Sequence, residues 1–133
     1  MKVIIIYGGN SSEKEISIKT GIAVNKSLGG VFETKMVMVN NDYQIIKDHY
    51  SHGDIIFNGL HGGYGENGEI QSFFENEEIN FIGSGSYACS IAINKMKSKK
   101  IANSLGCFVP HGKIIEEFSA FKDFSTPFIG MPI

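Results

Sequence analysis

Residues 1–17, MKVIIIYGGNSSEKEIS, decide how the rest of the chain is read. Between Lys2 and Tyr7 the apolar residues Val3, Ile4, Ile5 and Ile6 follow one another without a polar interruption. A strand of that kind has both faces buried, which is the pattern of a parallel sheet covered on both sides. Gly8-Gly9 ends the run. Ser12 and Glu15 then stand at the S-x-x-E spacing of a capping box, and Leu28-Gly29-Gly30 supplies a helix stop. Glu15–Thr20 also alternates like a strand, but cap and stop agree on a helix with Ile18, Ile22 and Leu28 near one face.

The rhythm continues downstream. Val31–Val39 reads as a second strand, Tyr43–His49 as a short helix and Asp54–Asn58 as a third strand. Asn67 is placed to cap a helix carrying Ile70, Phe73 and Phe74, and Ile79–Ile82 gives a fourth strand. From Ser86 the chain is helical, through Ala88, Ile91 and Ala92 and then through Ile101 and Leu105. Strands alternating with helices predict an α/β fold, an open parallel sheet flanked by helices on both faces. Pro110, a strand-like Gly112–Ile115 and the tail FSAFKDFSTPFIGMPI break this rhythm. The predicted division is therefore 1–106 as one domain and 107–133 as the beginning of another.

With 133 residues, 42% hydrophobic and a net charge of -2, the chain gives no reason to expect a nucleic-acid partner. Arginine is absent, so the chain itself offers no bidentate fork for phosphate or carboxylate. Cys89 and Cys107 sit among apolar neighbours and are expected to be reduced core residues. No stretch is long and apolar enough to span a bilayer, and the expectation is a cytoplasmic protein. His49-x-x-His52 lacks further ligands at an obvious spacing, so a metal is not expected there.

Ligands of open parallel sheets gather beyond the carboxyl ends of the strands. Two loops should lie there side by side. In GGNSSEKE the glycines admit a ligand to the backbone and the helix start offers free N–H groups to an anion. Glu13 offers a carboxylate to an ammonium, although first-turn acidity alone would also place Glu13 and Glu15 there. The dinucleotide fingerprint G-x-G-x-x-G is not present. In NGLHGGYGENGEIQ, glycines surround His61, Tyr64 and Glu66. His61 either bonds a substrate or neighbouring acid or braces the loop, and Glu66 is expected to brace turn amides. Lys95 and Lys99 lie one turn apart in NKMKSKK, on a solvated face or as a point charge for phosphate.

Taken together, YGGNSSEKEIS, LHGGYGENGEIQ, FIGSG and INKMKSK before a Leu-Gly…Val-Pro close resemble the D-alanine–D-alanine ligases of the ATP-grasp superfamily. The resemblance implies the amino-terminal, Rossmann-like pre-ATP-grasp portion of such a ligase, followed by the truncated start of its ATP-grasp domain. It implies ATP and magnesium as cofactors and an ATP-dependent carbon–nitrogen bond between two D-alanines for peptidoglycan precursors. Glu13 would contact the D-alanine ammonium, Ile16 would wall the pocket, His61 would join the same network and Lys95 would reach ATP phosphate. Homodimer contacts through this domain are implied as well. Asn94 and Asn67 stand where the family has Asp, and Met131 where it has a phosphate-binding lysine. Family members are much longer, and the part absent here carries the magnesium carboxylates and the arginine that stabilises developing charge. The chain alone is therefore expected to be inactive, whether it is a truncated product, a fragment of a longer chain, or half of a split enzyme completed by a separate carboxyl-terminal half. The alternative is a non-catalytic pre-ATP-grasp module for dimerisation or binding. The resemblance leaves the acceptor open between D-alanine and D-lactate, since in the family the acceptor-selecting residues lie mostly beyond the position of Ile133.

Overall fold

The computed structural model describes residues 1–112. Strands β1 (Val3–Gly8), β2 (Thr34–Val39), β3 (Ile55–Asn58) and β4 (Phe81–Ile82) form one sheet in the order β2-β1-β3-β4. All three pairings are parallel. The first strand is central, as its uninterrupted apolar run requires: Val3, Ile4, Ile5 and Ile6 are all buried. From β1 the chain moves out to β2 and then returns across to β3. That reversal opens a crevice between the ends of β1 and β3.

Helices are α1 (Lys14–Leu28), α2 (Glu69–Asn76), α3 (Ser86–Ala92) and α4 (Lys95–Ser104). Ile4 and Ile6 face a core with Val37, Val39, Ile56 and, from α2, Ile70, Phe73 and Phe74. Tyr7, of opposite parity on β1, meets α1 on the other face. The predicted parallel sheet between helices is present. The expected helix Tyr43–His49 is reduced to one 3-10 turn, Gln44–Ile46. The strand expected at Gly112–Ile115, the Met131 position and nearly all of the proposed second domain lie outside the described residues.

Three local expectations fail for identifiable reasons. The capping box does not form: Glu13 occupies the cap with no side-chain bond, and Ser11, not Ser12, accepts the Glu13 N–H at 3.1 Å. The buried face of α1 is Ser17 and Gly21, whereas Ile22 is 56% exposed. A Cβ on Gly21 would lie 2.8 Å from the Cβ of Tyr7. The helix thus approaches the sheet over small residues, leaving Ile16 and Ile22 exposed while Ile18 and Val24 are half-buried. Neither cysteine is in the core; both are free, Cys89 half-buried and Cys107 exposed.

Asn67 caps α2 from one residue further back than expected. Its Oδ1 accepts the Glu69 N–H at 2.9 Å, while Gly68 takes the cap in a left-handed conformation, φ 97°. Gly68 also lets α3 approach, since a Cβ there would lie 2.4 Å from the Ser86 carbonyl oxygen.

Helices α2 and α4 end alike, with paired bonds running back across the last turn. In α4 the Cys107 and Gly106 N–H groups reach the Ala102 and Asn103 carbonyls, and Gly106 carries the left-handed torsion, φ 80°. In α2 the Ile79 and Glu78 N–H groups reach Phe74 and Glu75, but the left-handed residue is Glu78, φ 51°. A Cβ in that region is strained. Glu78→Gly is therefore expected to stabilise the fold by about 1 kcal/mol. Urea unfolding should show a higher midpoint with an unchanged slope; an unchanged or lower midpoint would contradict this.

Candidate functional site

Three loops follow the carboxyl ends of β1, β2 and β3, and they are tied to one another. Gly9 N–H donates to the Val39 carbonyl, joining the first loop to the end of β2. The Ser11 hydroxyl donates to the His61 carbonyl at 2.6 Å, joining the first loop to the third. Asn40 joins all three, accepting from Lys14 Nζ at its side chain (2.9 Å) and from the Tyr64 hydroxyl at its carbonyl. Burial pushes the Tyr64 hydroxyl pKa up, with Glu69 adding to the effect, so the phenol stays protonated and able to donate.

Beneath them, fully buried Ser17 holds the two central strands together at their ends. Its Oγ accepts the Gly8 N–H at 2.8 Å and donates to the Gly59 carbonyl at 2.7 Å.

Glu13 stands against Gly62, whose φ is 65°. A Cβ on Gly62 would lie 2.6 Å from Glu13 Oε2 and 3.1 Å from Ser11 Oγ, so the glycine is what lets the loops close. Glu13 and the His61–Gly62 backbone are therefore neighbours. Ile16, 48% exposed, follows on the first turn of α1.

The His61 ring points along α1. Its Nε2 is 2.9 Å from Thr20 Oγ1 and its Nδ1 is 3.8 Å from Glu66 Oε1. It lines a cavity of about 430 Å³ whose other walls include Thr20, Glu66, Gln71, Phe57 and Phe81. Glu13 is not among the residues lining this cavity.

Two readings change at this point. Glu66 Oε1 stands 3.8 Å from His61 Nδ1, beyond hydrogen-bond reach, and braces no turn amide; that task falls to Asn58, whose side chain bonds the Leu60 N–H and the Gly65 carbonyl. The start of α1 offers little to an anion, because the Lys14, Ile16 and Ser17 N–H groups already bond the Ser11 and Glu13 carbonyls. Lys95 opens α4 in an exposed position and does not line the His61 cavity. Asn94 caps α4, its side-chain oxygen accepting the Lys97 N–H at 3.0 Å. Lys99 holds the Pro110 carbonyl at 3.0 Å. Among the described residues, no group of three or more His, Cys, Asp or Glu side chains converges as a metal site.

Thr20, Asn40 and Asn58 were not singled out from sequence, nor were Ser11 and Ser17 beyond their places in the first motif. The signal for two of them was present: Ser17, Thr20 and Gly21 are the small residues of α1 at helical spacing, and they mark the face pressed on the sheet.

No protein-family model matches the chain. It is 36% identical to the D-alanine–D-alanine ligase of Fusobacterium nucleatum, over 96% of this chain and 45% of that protein. It is 40% identical to the Carboxydothermus hydrogenoformans enzyme of the same name, over 84% of this chain and 36% of that protein. The fold superposes on a D-alanine–D-alanine ligase from Bacillus anthracis complexed with ATP at a TM-score of 0.77, with 28% identity over 96% of this chain.

The chain is homologous to D-alanine–D-alanine ligases. It spans less than half the length of these relatives. The tied strand-end loops are the candidate site.

Ser17→Ala would leave the buried Gly8 N–H and Gly59 carbonyl without their partner. The expected loss is about 2–3 kcal/mol of stability, measured by urea unfolding. Ser12→Ala, at an exposed position, is expected to change stability by less than about 0.5 kcal/mol.

Proposed function

We propose that the chain is the amino-terminal, D-alanine-binding part of an ATP-dependent D-alanine–D-alanine ligase. The observation that carries this reading is the closure of the Ser11–Glu13 turn onto His61–Gly62 in a chain homologous to that family. Glu13 is the anionic partner for the ammonium of the first D-alanine. Ile16, on the same turn, is the apolar wall, and His61 joins the network through its carbonyl on Ser11 while its ring, held between Thr20 and Glu66, lines the adjoining cavity. Lys95 is assigned to ATP phosphate as a point charge.

In this reading ATP activates the carboxylate of one D-alanine, and the amine of the second displaces phosphate to form the peptide bond. The contribution of the described residues is binding and orientation of the first amino acid. No metal step is assigned to them, since no ligand set converges among them.

Association of two chains is a second part of the proposal. It is favoured by an apolar groove of about 400 Å³ between α1 and strands β3 and β4, lined by Ala23, Val24, Leu28, Phe57 and Ile82. Ile82 is 51% exposed there. Sedimentation of the wild type is expected to show a dimer, and Ile82→Glu a monomer. A monomeric wild type would remove this part of the proposal.

Calorimetric titration of the full chain tests the binding role. D-alanine is expected to bind, and Glu13→Ala to weaken it about tenfold or more, the worth of one charge-assisted bond. L-alanine serves as the stereochemical control. Equal affinity of wild type and Glu13→Ala, or no binding to the wild type, would overturn the assignment.

A further inference from the structure

We propose that Asn58 and Gln71 are the positioning pair for His61 and Glu66, acting together on the carbonyl of Gly65. The proposal rests on His61 being a site residue. Asn58 Nδ2 and Gln71 Nε2 both donate to that one oxygen, each at 2.9 Å. Asn58 also accepts the Leu60 N–H at 3.1 Å. One side chain at the end of β3 therefore grips the loop immediately before His61 and again immediately before Glu66.

The geometry explains how this reaches the imidazole. The Gly65 carbonyl belongs to the peptide plane that leads into Glu66, so fixing its direction fixes where the Glu66 side chain starts. Gly65 itself cannot be replaced, because a Cβ there would lie 2.6 Å from Leu60 Cβ. Glu66 Oε1 is thereby held 3.8 Å from His61 Nδ1. An ionised carboxylate only accepts, so its presence favours the proton on Nδ1. Nε2, 2.9 Å from Thr20 Oγ1, then accepts from the threonine hydroxyl. The loop thus selects one neutral tautomer.

Gln71 is a poor choice for stability alone. It is 6% exposed, and its Oε1 is buried without a partner. An unmet buried acceptor opposes folding. Methionine would fill similar space without that oxygen, and Gly65 would keep its bond from Asn58. What Gln71 adds is the second donor on the Gly65 carbonyl.

The test uses the full chain labelled with 15N-histidine, read by long-range nitrogen–proton correlation at neutral pH. His61→Gln assigns the His61 signals. The wild type is expected to show His61 as the Nδ1–H tautomer. Gln71→Met is expected to lose that single-tautomer signature while its Tm stays level or rises. Glu66→Gln, which leaves the clamp intact, is expected to lose the same signature. A wild type in the Nε2–H form overturns the proposal. So does Gln71→Met with an unchanged His61 spectrum, or with a changed spectrum and a lowered Tm. The readout needs no ligand, so it stands or falls separately from D-alanine binding.

Discussion

One hydroxyl holds the site together. Ser17 Oγ sits fully buried between the Gly8 N–H and the Gly59 carbonyl, the two backbone groups at which β1 and β3 give way to their loops. Parallel strands leave such groups unpaired where the ladder ends, and burying them without partners is costly. Because the bridging atom belongs to α1, the helix cannot shift without breaking both contacts. The register of the Glu13 turn against the His61 loop follows from this. Gly21, one turn further on, allows the same close approach by carrying no side chain against Tyr7.

This explains which parts of the molecule were legible in sequence. The apolar run of β1 admits one interpretation, a strand buried on both faces, and from it the parallel sheet and alternating helices follow. Apolar periodicity failed on α1 because close helix–sheet packing there uses Ser17 and Gly21, leaving Ile22 outside. The same bias misplaced Cys89 and Cys107, whose apolar neighbours on α3 and α4 are not buried. The cap was misread by one residue because Ser11 also serves His61, a contact 50 residues away that no local spacing encodes. Glu13 and His61 could be picked out as polar residues in glycine-rich turns. The amides that orient the loop could not, since Asn58 reads as the end of a strand and Gln71 as a helix residue.

The loop after β3 trades stability for geometry. Gly62, Gly63 and Gly68 take left-handed torsions, and Gly62 leaves room for the Glu13 carboxylate. A loop so rich in glycine has a large conformational entropy to lose. It is ordered by side chains from rigid elements on either side: Asn58 from β3, Gln71 from α2, and Tyr64 reaching across to Asn40. An unpaired Gln71 oxygen in this setting is consistent with a segment shaped for what it presents more than for its own stability.

The two charged ends of the proposed site stand on elements of different firmness. Glu13 opens a helix locked to the sheet by Ser17. Lys95 opens α4, and neither α3 nor α4 contains a buried residue. What fastens α3 is largely polar: Glu75 accepts both the Ser86 N–H and the Ser86 hydroxyl. The Ser86 hydroxyl first, and then its N–H, hold the Glu75 carboxyl below the usual carboxylate range. Beyond it, α4 contributes Lys99 to the Pro110 carbonyl. Exposed polar ties are each worth little and open readily. A small zwitterion needs its ammonium partner fixed before it arrives, whereas a phosphate can be met by a lysine that adjusts. The division of the fold into a firmly packed sheet half and a lightly tied helical half matches that requirement, with the proposed ammonium partner on the first and the proposed phosphate partner on the second.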